Sequence, residues 1–262
     1  MADDITKGII DKADGVLVEV YKDAVSPMIK PIGEILGFLP RTLKLALSDW
    51  EKWLINGEET IKLTAESVRE KIKAVPEEKL VEPEPYVAIP AMQQLSYCAN
   101  NKELRELYAN LLVSSMNTDK KWKVHPAFVD IIKQLTPDEA KLIKEMPDVV
   151  ASGKPLIDVC FEVKAINAKQ VFISNFTNIG LDKMDNPINI GSYIDNLERL
   201  KLISIPPNLS LKNKDLYTAL ISHPLITSRL QMQLDSGVNI AYNYKLFCLT
   251  NFGVEFINTC CK

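Results

Sequence analysis

The sequence predicts a mainly α protein, with helical N-terminal and central regions and a small winged-helix-like α+β C-terminal part. Three patterns carry that expectation. Apolar residues recur on a helical period through the centre of the chain. A run dense in proline separates that centre from what precedes it. After Met146-Pro147, β-branched and aromatic residues gather in runs with partial alternation. The resulting division is a helical arm over 1–75, a Pro-rich connector over 76–90, a central helical core over 91–147 and the winged-helix-like domain over 148–262.

In the arm, Pro27, Pro31 and Pro40 cut an apolar stretch into short helices. Leu43, Ala46, Leu47, Trp50, Trp53 and Leu54 make one stripe that stops at Asn56-Gly57, a helix C-cap signal. A membrane span needs about 20 apolar residues. Asp23, Lys30, Glu34, Arg41 and Lys44 interrupt every such window, so no transmembrane segment is predicted. Gly33 and Gly37 fit a tight helix crossing. Glu58 to Val75 reads as a further helix, with Ile61, Ala65, Val68, Ile72 and Val75 on one face. The connector follows, and Pro76, Pro83, Pro85 and Pro90 favour extended backbone there.

The central core is the best-specified part. Leu104, Leu107, Tyr108, Leu111, Leu112, Ser115 and Met116 share a stripe, with Asn100 as N-cap and Glu103 in the capping-box position. A helix after His125-Pro126 carries Phe128, Ile131, Ile132 and Leu135. Thr136-Pro137-Asp138-Glu139 then supplies an N-cap, a proline at N1 and a glutamate at N3, a helix start.

Beyond it, 156–163 and 169–176 read as short strands, and 189–200 as a helix burying Ile190, Ile194, Leu197 and Leu200. A strand over 202–205 stops at Pro206-Pro207, and a second spans 242–249. Between them lies an insertion over 206–240, helical from Asp215 to Leu234. Thr250 caps a last helix bearing Phe252, Phe256 and Ile257. Helix, strand, turn, strand, helix is the winged-helix order, with 189–200 in the place of the recognition helix.

The runs IPAMQQLSY, NKELRELYANLLVSSM and HPAFVDIIKQLTPDEAKLI resemble the abortive infection alpha family of bacterial proteins. The resemblance extends upstream through KAVPEEKLVEPEPYVA, loosely to Pro31-Ile32-Gly33, and downstream to YIDNLERLKLI. It implies an anti-phage or mobile-element context in bacteria and brings no catalytic motif with it.

Residue chemistry argues against an enzyme. Formal net charge is -3, and neither 1–124 (17 Lys and Arg against 20 Asp and Glu) nor 125–262 (14 against 14) is a polybasic module. Phosphate-loop, dinucleotide and G-x-S-x-G signatures are absent. No arginine lies in the seven residues before His125 or His223, which removes the Arg-to-His signature of the helical HEPN ribonucleases. His125 is expected to satisfy a backbone group at a helix start rather than to act as an acid or base. Cys98, Cys160, Cys248, Cys260 and Cys261 lack metal spacing, so no catalytic residue, metal or cofactor is expected. These cysteines and the acidic start MADDITKGII point to a cytoplasmic protein.

The residues best able to meet nucleic acid are Ser192, Asn196 and Arg199 on the recognition-like helix, and Lys121 and Trp122 in a basic-aromatic loop. Asp195 and Glu198 share that helix, and Trp122 is expected to fold onto the core, leaving a solvated lysine loop. Glu103, Arg105 and Glu106 are expected on a solvated helix face. The favoured function is therefore a non-catalytic interaction protein acting through protein–protein contacts. The alternatives are a winged-helix DNA-binding regulator and a membrane-active effector working through the N-terminal helices. Those helices mix both charge signs, which favours packing within the chain or in a homodimer over a lipid surface.

Overall fold

Proline decides where the helix that leaves the connector begins. In the computed structural model, which describes residues 67–68, 70–98, 101–146, 153–163, 168–231 and 239–262, α1 spans Pro85–Tyr97. The connector was expected to stay extended through residue 90, so its last residues are a correction. Pro85 stands in the first helical turn, where a missing N–H is harmless, and the amides of Val87 and Ala88 both bond the Glu84 carbonyl at 3.0 Å. Pro90 is tolerated inside the helix because Ala88, Ala91, Met92 and Leu95 are buried around it. The predicted arm, and any homodimer through it, lies outside the described residues except for its end. There, 67–68 and 70–72 are helical and Val68 is buried.

Helix α2, Lys102–Ser115, is capped by Asn101, whose side chain accepts the Leu104 amide at 3.0 Å. The cap is one residue later than the Asn100 and Glu103 pairing expected. Leu107 through Ser115 are all buried, so α2 is a central helix and not a surface one. Helices α3 (Ala127–Lys133) and α4 (Pro137–Lys144) pack against it. The capping box of α4 forms as predicted: the Glu139 amide bonds Thr136 Oγ1, and Glu139 Oε2 accepts the Thr136 amide at 2.6 Å.

A mixed α+β fold replaces the mainly α expectation. Strand β1 (Lys154–Val163) and β2 (Ala168–Phe176) are long, not short, and form a hairpin. Helix α5 (Ile190–Arg199), β3 (Ile203–Ser204), α6 (Asp215–Ile221), α7 (Pro224–Gln231), β4 (Asn239–Leu249) and α8 (Asn251–Phe256) follow. A π-helical turn, Ile257–Cys261, ends the chain. Among the described residues all strand pairings are antiparallel, in the order β2-β1-β4-β3.

The wing pairing is present, with Ile203 opposite Leu249 and Ser204 opposite Cys248. It is a minor edge of the sheet, however. β4 runs most of its length along β1, from Lys154 opposite Phe247 to Glu162 opposite Asn239, and the β1–β2 hairpin has no place in the winged-helix order. The expected insertion helix is two helices, broken at His223-Pro224.

Two glycines set the helix-to-strand seams. A Cβ on Gly191 would stand 2.5 Å from the Ser174 carbonyl oxygen, and one on Gly253 would stand 1.9 Å from that of Leu202. Only glycine allows α5 so close to β2, and α8 so close to the turn before β3. The central helices and the sheet share one hydrophobic core running from Val68 to Cys260. Its polar ties include Asn110 Nδ2, which donates to the Cys260 carbonyl at 2.9 Å, and Ser114 Oγ, which donates to that of Thr259 at 2.8 Å.

Candidate functional site

The loop after α2 turns back along the connector. Val81 N donates to the Met116 carbonyl at 2.9 Å, Thr118 N donates to that of Lys79 at 3.0 Å, and Leu80 and Asn117 form an antiparallel bridge. Lys79 Nζ also meets Asp119 Oδ2 at 2.6 Å, and that hydrogen bond raises the lysine above its ordinary pKa. The two segments are thus held side by side. Next along the chain, Lys121–Lys123 makes a single 3-10 turn.

That turn points Trp122 outward while Val124 enters the core. Trp122 is 75 % exposed, so the expectation that it folds onto the core is corrected. It lines a groove of about 180 Å³ together with Lys121, Val124, Ser115, Glu84, Val87 and Tyr86. Tyr86 is itself 60 % exposed. Neither ring packs against another aromatic ring among the described residues. Tyr86 and Glu84 escaped the sequence reading because their place depends on where α1 starts, which a proline-dense run conceals.

The recognition-like helix places its residues differently. Ile190, Tyr193, Ile194 and Leu197 are buried, and α5 rests on β2 and α4. Asn196 Nδ2 donates to the Gln134 carbonyl at 3.0 Å, and the Arg199 guanidinium donates to Gln134 Oε1 at 3.0 Å and to Asn196 Oδ1 at 2.7 Å. Both side chains therefore tie α5 to the turn between α3 and α4. Ser192 instead lines a groove of about 160 Å³ between β2, the start of α5 and α7, where the Arg229 guanidinium lies 5.5 Å from the Phe172 ring centre. Lys121 and Trp122 lie together, while Ser192 faces the groove by β2 and Asn196 and Arg199 face the turn after α3.

A buried polar cluster joins α5 to the sheet. Asp158 Oδ1 accepts the Asn175 amide at 2.9 Å and Lys245 Nζ at 3.0 Å. Lys245 also donates to the Asn175 side-chain oxygen, and Asn175 Nδ2 donates to Asp195 Oδ1 at 2.5 Å. Asn175 has φ 51 where the β1–β2 register shifts, a left-handed position that asparagine tolerates. These groups bind one another, which makes the cluster a clamp on the bulge.

The remaining chemical candidates also serve the fold. His125 Nδ1 accepts the Ala127 amide at 3.1 Å, the helix-start role expected for it. His223, also followed by proline, does the same for Leu225 at 3.2 Å. Glu103 pairs with Lys144 at 2.8 Å and Glu106 with Lys71 at 2.9 Å; both carboxylates are half-buried, so the solvated face expected for them is corrected. Among the described residues no three His, Cys, Asp or Glu side chains come together as a metal-holding group. No helix among them is long and apolar enough to cross a membrane.

A model of the abortive infection alpha family matches residues 56–260. No curated protein and no solved structure gives a significant match.

Proposed function

Since the chain belongs to the abortive infection alpha family, we propose that it is a non-catalytic interaction protein of phage defence, making its contact through the groove between Trp122 and Tyr86. The observation that carries this reading is that Trp122 is 75 % exposed beside the groove that it lines with Tyr86. Tryptophan and tyrosine dominate binding energy where they anchor an interface, and exposed apolar surface beside a concavity marks contact sites. Both histidines accept a backbone amide at a helix start through Nδ1, which supports a structural rather than an acid–base role for them.

A winged-helix DNA reader is the second reading, supported by the antiparallel β3–β4 pair that follows α5. Against it, Asn196 and Arg199 are spent on Gln134, and Asp195 and Glu198 share the helix. Electrostatic attraction supplies most non-specific DNA affinity, and this chain lacks the net positive charge for it. Weak duplex binding at physiological salt is expected; tight binding with a steep salt slope would favour the regulator.

Phage plating on cells expressing the wild type, Trp122→Ala or Trp122→Phe tests the main reading. The wild type should restrict plating, Trp122→Ala should lose restriction at unchanged thermal stability, and Trp122→Phe should keep part of it. Full restriction by Trp122→Ala, or no restriction by the wild type across a broad phage panel, would overturn it.

A further inference from the structure

The charges beside the groove are sorted by segment, and of them Glu84 and Lys121 line it. One wall of this face, the segment 77–84, carries Glu77, Glu78, Glu82 and Glu84, all exposed. The other, 119–123, carries Lys120, Lys121 and Lys123. The two remaining charges, Lys79 and Asp119, neutralise each other across the seam. None of the seven sorted side chains forms an ion pair with a described residue, although Glu84 and Lys121 line the same groove. Backbone pairing of 79–81 with 116–118 fixes the two walls beside each other.

We propose that this face seats a second copy of the chain around a two-fold axis. The proposal rests on the reading of the Trp122 groove as a contact surface and names its occupant. A polyanion would meet the glutamate wall with repulsion, and a basic partner would meet the lysine wall likewise. A surface rotated by half a turn onto itself sets glutamates against lysines twice over, the self-complementarity that a two-fold interface requires. The same rotation brings the Trp122 of each copy to the groove of the other. There its ring finds the open space beside Glu84, Tyr86 and Lys121 that the described residues leave unfilled.

Sedimentation velocity of the full chain tests this, with two charge-reversed variants at exposed positions, Lys121→Glu/Lys123→Glu and Glu82→Lys/Glu84→Lys. The wild type should sediment at twice the mass of one chain and dissociate as salt is raised. Each variant alone should be monomeric with wild-type circular dichroism. Mixed in equal amounts, the two should form a heterodimer, because each reversed wall then faces its opposite. Trp122→Ala should weaken the wild-type dimer at least ~10-fold.

A wild type that stays monomeric at all concentrations, or a mixture that does not associate, overturns the proposal. So does a dimer indifferent to both reversals, which would assign self-association to another surface. Failure here and failure of the interaction reading separate cleanly. Loss of phage restriction in Trp122→Ala beside a monomeric wild type removes only the dimer. A swap-dependent dimer beside full restriction by Trp122→Ala removes only the defence role of the groove.

Discussion

Asp138 gathers donors from three parts of the chain. The amides of Asp185 and Asn186 reach it at 2.9 and 2.8 Å, the Tyr193 hydroxyl at 3.1 Å and Lys141 Nζ at 3.4 Å. Burial alone would raise its pKa, but these hydrogen bonds outweigh burial and hold the carboxyl below its usual range. A folded pKa below the unfolded one gives stability that is complete above about pH 4 and is lost as pH falls through the folded value. Asp138→Asn should therefore cost about 2 kcal/mol near neutrality, since the amides of Asp185 and Asn186 and the Tyr193 hydroxyl lose a charged acceptor, while Lys141 keeps its closer pair with Asp185 at 2.8 Å. Urea midpoints of the two proteins should converge as pH falls, and a constant gap would deny Asp138 this role. Only half of this was legible in the sequence. The capping box announces a helix start at Thr136, but nothing local says that the residue two places on will hold the loop at 185–186. The two histidines tell a similar story: the following proline marks a helix start at each, and substituting either with alanine should cost about 1 kcal/mol in thermal unfolding by removing the bond that its Nδ1 accepts from a backbone amide.

At the scale of elements, helix and strand positions were largely legible, because periodicity and capping are local. Strand length, sheet order and the cover over each helix were not. β1 and β2 looked like short accessories; pairing with β4 makes β1 one of the two interior strands of a four-stranded sheet. α2 showed one stripe, yet Asn110 and Ser114 on its other side are buried because the C-terminal turn arrives there with unsatisfied carbonyls. The candidate site followed the same rule. Lys121 and Trp122 could be singled out by composition, whereas the outward turn of Trp122 and the arrival of Tyr86 depend on tertiary packing. α8 offers the sharpest test at this scale, since its seat depends on the missing side chain of Gly253. Gly253→Ala should destabilise by about 3 kcal/mol through overpacking against the Leu202 carbonyl, visible as a lower midpoint in chemical denaturation. An unchanged midpoint would mean that α8 sits farther from β3 than this packing has it.

The whole molecule is bound together at its C-terminal end. The π-helical turn at 257–261 lies against α2, and Ile257 and Cys260 are buried in the core that also holds Leu156, Val159 and Phe247 of the sheet. Asn110 and Ser114 bond the Cys260 and Thr259 carbonyls, so α2 is completed by residues about 150 positions away. Contacts this distant in sequence couple the opening of one element to that of the other. The slowest amides of α2 and of β1 should therefore exchange with the same free energy, through a single global opening. Removing 257–262 would strip α2 of these partners, leaving a buried amide and a buried hydroxyl unsatisfied at about 1–3 kcal/mol each, besides the lost apolar contacts. Hydrogen exchange followed by mass spectrometry on the truncated chain should show slow amides vanish from α2 and from the β1–β4 pair together. Sheet peptides that keep native protection while α2 loses its own would show two separately stable halves, and would return the division between centre and C-terminal part that proline and periodicity first suggested.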